Sequence, residues 1–105
     1  MELEIETLER NGACVVVVDG EVDLNTSPKL RTVLTKQVPR NVRAVEVDLQ
    51  AVPYMDSSGV ATLIEGLRAA VSNDAEFALV APSAAVLKVL KLSRLDSVFT
   101  IREAG

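Results

Sequence analysis

The chain contains no histidine and no tryptophan, a single cysteine, and only three aromatic residues, Tyr54, Phe77 and Phe99. Each gap removes a class of chemistry. Without histidine there is no imidazole base to activate a serine or cysteine nucleophile, and no Cys/His set to hold a metal. Cys14 alone cannot close an internal disulfide, and in an apolar strand it reads as a small buried hydrophobe. With so few aromatics the core must be aliphatic, and the 49% hydrophobic content is ample for one. Positive charge is also short: 11 Lys and Arg stand against 15 Asp and Glu, a net charge of −4. That balance argues against nucleic acid as a partner, because neutralising phosphates needs a basic stripe. It equally removes simple attraction to anionic lipid. The longest unbroken apolar run, Ala13 to Val18, falls far short of the ~20 residues that span a bilayer. The opening MELEIETLER is acidic and alternating, unlike a signal or transit peptide. A cytoplasmic protein without membrane insertion is the expectation.

At 105 residues the chain is expected to be one domain over 1–105, with no repeat, linker or low-complexity stretch. Leu3, Ile5 and Leu8 alternate with Glu4, Glu6 and Glu9, as in a half-buried edge strand, and the stripe of Glu2, Glu4, Glu6 and Glu9 protects that edge. Asn11-Gly12 is a two-residue hairpin turn. The run Ala13–Val18 follows, typical of a strand covered on both faces. Thr26 or Ser27 suits a helix cap and Pro28 the first helical position; Leu30, Val33, Leu34 and Val38 then recur at helical spacing until Pro39. Residues 44–49 read as a second inner strand. After Gly59, the residues Val60, Leu63, Ile64, Leu67, Ala70 and Val71 form one stripe of a long helix, closed by Asn73 as a left-handed cap. Residues 77–80 read as a third inner strand, Pro82-Ser83 opens a helix with Val86, Val89 and Leu90, and residues 98–101 form a short last strand. The pattern predicts an α/β domain: an opening β-hairpin, then a mixed, mainly parallel central sheet of four or five strands with three or four helices. Strand order is left open.

In such folds, loops at the carboxyl ends of inner strands meet ligands and partners. Two are conspicuously polar: Asp19 to Thr26 (DGEVDLNT), and Asp56-Ser57-Ser58-Gly59. If their strands are neighbours, both loops lie on one edge. Ser57 and Ser58 begin a helix, where free N–H groups and the helix dipole favour a phosphate. Phosphorylation would add roughly −1.5 to −2 charges to an already acidic corner. The same residues would equally serve as plain helix caps, and local chemistry alone does not separate the two. Tyr54 reads as packing against the sheet edge.

The stretch YMDSSGVATLIEGL, the earlier DGEVDLNT and the closing SAAVLKVLKLSRLDSVFTI, in that order and spacing, together resemble the STAS domain family, and within it the anti-sigma factor antagonists of bacteria. The resemblance covers nearly the whole chain. It implies a non-enzymatic binding module without a cofactor, catalytic residue or metal. It implies that Ser57, directly after the aspartate, is phosphorylated by an anti-sigma factor that is also a serine kinase. Binding then ends, and a serine phosphatase restores it. Asp23 would contact the kinase, and Asp56, Ser58 and Gly59 would shape the loop around Ser57. Two departures stand out: Gly59-Val60-Ala61 where many antagonists have Gly-Leu-Gly, and Lys91 to Arg94 where a Thr-Gly pair is common. The same resemblance admits another role, a subunit of a lipid-transport ABC complex that docks on its permease. A receiver domain is excluded, because Val80-Ala81-Pro82 offers no lysine at the late strand end. No nucleotide-binding glycine-rich loop of the P-loop kind is present.

Overall fold

A computed structural model describes residues 3–103. Glu2 therefore lies outside the described residues. Strands β1 (Glu4–Arg10) and β2 (Ala13–Asp19) form an antiparallel hairpin. Asn11 and Gly12 turn it with φ of 54° and 82°, the two left-handed positions a tight hairpin demands. Strands β3 (Ala44–Ala51), β4 (Glu76–Val80) and β5 (Thr100–Arg102) follow in parallel with β2. The sheet order is β1-β2-β3-β4-β5. Helices α1 (Ser27–Thr32), α2 (Ser57–Ser72) and α3 (Ala84–Leu92) connect the parallel strands.

Alternation along the strands divides the sheet into two unlike faces. Cys14, Val16, Val18, Val45, Val47, Leu49, Phe77 and Leu79 join Leu30, Leu63, Val86 and Leu90 of the helices in one core. The alternate positions carry Glu46, Asp48 and Arg102, and Arg102 bridges Glu46 at 3.2 Å and Glu76 at 3.6 Å across that face. All three helices thus bury their apolar faces against the same side of the sheet. The buried run in β2 is not a strand between two helix layers: Val15, on the open face, is flanked in register by Leu8 and Glu46. Burial of Cys14 pushes its thiol pKa up, in keeping with an inert core residue.

Four local expectations need correction. The buried face of α2 is centred on Gly59, Leu63, Gly66 and Ala70, whereas Val71 is 63% exposed. A Cβ on Gly66 would stand 2.8 Å from Leu34 Cδ1 and 3.1 Å from Phe77 Cε1. The helix therefore lies on Gly59 and Gly66 as well as on Val60, Leu63 and Ala70 of the expected stripe, which lets its axis approach the sheet. Ile64 and Leu67 are partly buried at the flank, and only Val71 departs from the stripe. Asn73 is not left-handed (φ −104°); it donates from Nδ2 to the Ala69 carbonyl at 3.1 Å, and Asp74 takes the left-handed turn at φ 57°. Val98 lies outside the last strand, in a turn where its N–H donates to the Leu95 carbonyl, and is half exposed. Finally, α1 does not run regularly to Pro39. It widens into a π-type turn over Val33–Gln37 before Val38 becomes extended.

Candidate functional site

Because β2 and β3 are adjacent and parallel, the two polar loops leave the same sheet edge side by side. They are also joined. Gly20, at φ 126°, donates its N–H to the Ala51 carbonyl at 3.1 Å. Val22 donates to Tyr54 at 3.0 Å, and Asp56 donates back to Val22 at 3.1 Å, making an isolated parallel bridge between Val22 and Met55. The bridge carries the β2–β3 pairing past the end of both strands and fixes one loop against the other.

Each loop is clamped by its own aspartate. In the first, Asp23 Oδ1 accepts from the Asn25 and Thr26 amides at 2.9 and 3.0 Å, while the Asp23 amide donates to Thr26 Oγ1 at 2.9 Å. The Thr26 hydroxyl lies 2.8 Å from the Glu21 carbonyl and 3.2 Å from Asp23 Oδ1, and its single proton serves one of them at a time. The Thr26 amide, foremost, holds the Asp23 carboxyl below its ordinary pKa, with further help from Asn25. Thr26 is therefore occupied inside the loop and makes no side-chain cap for α1. In the second loop, Asp56 is the cap of α2. Its backbone is extended (φ −106°, ψ −171°) and its Oδ1 accepts from the Ser58 and Gly59 amides at 2.9 and 3.4 Å.

The aspartate, not a serine, thus takes the capping role, and Ser57 is left as the exposed first residue of the helix. Its hydroxyl has no hydrogen-bond partner among the described residues. Ser58 is half-buried and accepts at its carbonyl from the hydroxyl of buried Thr62 at 3.0 Å. Gly59 is buried for a steric reason: an added Cβ would lie 2.5 Å from Met55 Cγ and 2.9 Å from Val22 Cγ1. These are the two bridge residues, so Gly59 is where α2 leans on the joint between the loops.

The structure brings Asp23, Asp56, Ser57, Ser58 and Gly59 to one corner. Asp19 and Glu21 are exposed beside them, and none of the four acids Asp19, Glu21, Asp23 and Asp56 is in an ion pair among the described residues. Two apolar residues add to the corner. Leu24 in the first loop is 74% exposed, and Tyr54 in the second is 48% exposed instead of packed on the sheet edge. Alternation was the available signal for Tyr54: Met55 points inward, so its neighbour points out. A cleft of about 380 Å³ touches the first loop at Asp19, and Asp23, Asp56, Ser57, Ser58 and Gly59 do not line it. A cleft of about 710 Å³ lies elsewhere, lined by the π-type turn and the C-terminal turn of α2, and shares no residue with either loop. Among the described residues no group of three potential ligands is placed to hold a metal, and no helix is long and apolar enough to cross a membrane.

The STAS domain family model matches residues 4–104. This chain belongs to the STAS domain family. The anti-sigma-B factor antagonist of Staphylococcus aureus is 32% identical over 103 residues, an alignment covering 98% of this chain and 95% of that protein. The crystal structure of an anti-sigma factor antagonist from Mycobacterium paratuberculosis superimposes with a TM-score of 0.85 at 27% identity, covering 96% of this chain and 86% of that one. A solved antagonist named SpoIIAA shares the fold in its unphosphorylated form, with a TM-score of 0.79 at 23% identity, covering 98% of this chain and 88% of its own. The STAS match accords with the opening hairpin and the mainly parallel sheet of four or five strands expected from the sequence, of which the structure has five.

Proposed function

We propose that this STAS domain is an anti-sigma factor antagonist whose binding is switched off by phosphorylation of Ser57. In the unphosphorylated state the corner built by Asp23, Asp56, Ser57, Ser58 and Gly59 docks on an anti-sigma factor and so releases the sigma factor. The anti-sigma factor doubles as a serine kinase: it moves the γ-phosphoryl of ATP onto Ser57 Oγ, the hydroxyl proton passes to a base on the kinase, and ADP leaves. A serine phosphatase hydrolyses the phosphoserine and resets the protein. The work of this chain is binding; the catalysis belongs to its partners.

One observation carries the reading. Ser57 is the exposed serine of the motif, its hydroxyl without a hydrogen-bond partner among the described residues, on an acidic corner whose acids form no ion pair among those residues. A kinase needs an accessible acceptor, and a charge switch needs a surface where roughly two further negative charges oppose docking. The names of the relatives support the same role. The test is intact-mass and phosphopeptide analysis of the protein incubated with ATP and the anti-sigma factor of its own organism. One phosphate on Ser57, absent in Ser57→Ala, is expected, with weakened partner binding by the phosphorylated form and by Ser57→Asp. Phosphate at another residue, or Ser57→Asp binding as tightly as the wild type, would defeat the proposal.

A further inference from the structure

We propose that Leu24 and Tyr54 are the apolar anchors of this corner, and that the protein surface they fit is an apolar pocket bordered by Arg or Lys side chains. The inference rests on the antagonist reading and names the contact chemistry that reading leaves open. Among the described residues, six larger hydrophobic side chains are exposed: Leu8, Leu24, Tyr54, Val71, Leu92 and Val98. Leu8 stands on the edge strand, Val71 and Leu92 on the last turns of helices, and Val98 in the turn before β5. Leu24 and Tyr54 alone occupy two segments tied directly to each other.

That tie makes them anchors and not stray surface residues. The Tyr54 carbonyl accepts from Val22 at 3.0 Å, and Met55 next to it is buried, so the tyrosine leaves a fixed backbone on the outward side. Leu24 sits inside the turn that Asp23 closes through the Asn25 and Thr26 amides. Both are held before any partner arrives, so docking needs little further ordering of backbone. A large apolar side chain presented on an ordered loop, filling a pocket with polar residues at its rim, is the usual anatomy of a binding hot spot.

The rim supplies the charge argument. Asp19, Glu21, Asp23 and Asp56 lie in the same two segments as the pair and have no ion-pair partners among the described residues. Their complement is a basic border. Apolar anchors would then set how long the complex lasts, and the acidic rim how fast it forms.

The test is binding kinetics with the anti-sigma factor of the same organism, at low and moderate salt, for five proteins: wild type, Leu24→Ser, Tyr54→Ser, Tyr54→Phe and Glu21→Gln. The serine variants are expected to weaken binding roughly tenfold or more through faster dissociation, and to keep the wild-type dependence on salt. Tyr54→Phe should retain most of the affinity. Glu21→Gln should slow association and flatten the salt dependence. Thermal melts would show that the serine variants remain folded, since both side chains are exposed. Serine variants within about twofold of the wild type would overturn the anchor assignment while leaving the antagonist role standing. Failure of the unmodified wild type to bind would refute the role itself, and the anchors with it.

Discussion

Gly59→Ala is the most informative single substitution. Gly59 does not lie in the left-handed region, so no backbone strain is at issue. The conflict is spatial. The new methyl group would sit 2.5 Å from Met55 Cγ, 3.1 Å from Met55 Sδ and 2.9 Å from Val22 Cγ1. Met55 is 4% exposed and Val22 is fully buried, so neither can swing out into solvent to make room. Overpacking of this kind costs about 1–3 kcal/mol. Alanine's helix preference returns up to about 1 kcal/mol in a helix interior, and less in a first turn. The net expectation is a loss of about 1–2 kcal/mol, and each kcal/mol lowers the melting temperature of a domain this size by about 4–8 °C. Partner binding should weaken too, because the displaced side chains belong to the residues that join the two loops.

Urea unfolding of a double-mutant cycle with Met55→Ala checks the cause. Met55→Ala alone should cost about 2–5 kcal/mol through its cavity. In the double variant the alanine methyl fills part of that space, so the losses should fall short of their sum by at least about 0.5 kcal/mol. Strict additivity, or a Gly59→Ala protein as stable as the wild type, would refute the reasoning and leave Gly59 as an ordinary helix-start residue.

Asp56→Ala should lose about 1 kcal/mol of stability in urea, the usual worth of a helix cap, since it frees the Ser58 and Gly59 amides. Asp23 has a folded pKa below its ordinary value, so its clamp is complete above the unfolded value of about 3.9 and is lost as pH falls from there through the folded value. The Asn25 and Thr26 amide signals should therefore shift in NMR spectra only under acid conditions, and Asp23→Asn should flatten that response. Arg94 stands at φ 57° just beyond α3, where the Leu95 amide closes on Leu90 at 2.8 Å. Arg94→Gly should raise stability by about 0.5–1 kcal/mol, a gain read from the urea midpoint.

Strands and helices were legible wherever apolar spacing or turn chemistry was strong. Asn11-Gly12 specified the hairpin, and the β-branched run from Val15 to Val18 specified an inner strand. What stayed hidden depends on contacts between distant residues. The apolar stripe of α2 was legible except at Val71, but its closest approach was not. Glycine carries no hydropathy signal, yet Gly59 and Gly66 mark where the helix comes nearest to Met55, Leu34 and Phe77. The left-handed turns fell on Asp74 and Arg94, where only the closing bonds Ala75 to Ala70 and Leu95 to Leu90 reveal them. At the corner, the polar motif drew attention to the acids and serines. Alternation beside Met55 was a local signal for the outward set of Tyr54, but the joining of its segment to the loop of Leu24 depends on the Val22–Met55 bridge, which no local pattern encodes.

The cap assignment also changes how a phosphate at Ser57 would act. The bare sequence suggests that helix N–H groups would hold it. In the folded protein the Ser58 and Gly59 amides already donate to Asp56 Oδ1, so a phosphate could use those two only by displacing the aspartate; otherwise it remains in solvent or beside the Ser57 amide. Displacement would give up a cap worth about 1 kcal/mol and place two anionic groups at the same turn. Ser57 is exposed, and water solvates a phosphate there without disturbing the loop. The proposed switch therefore needs no conformational change in this chain. A phosphate there would add charge beside Asp56 and would leave the Val22–Met55 bridge and both aspartate clamps in place. The partner would then meet the same shape with greater negative charge and a phosphate it must desolvate. Such a switch should weaken binding steeply at low salt and less at high salt, because screening acts on the added charge but not on shape. A phosphorylated form whose binding defect ignored salt would instead point to a rearranged loop.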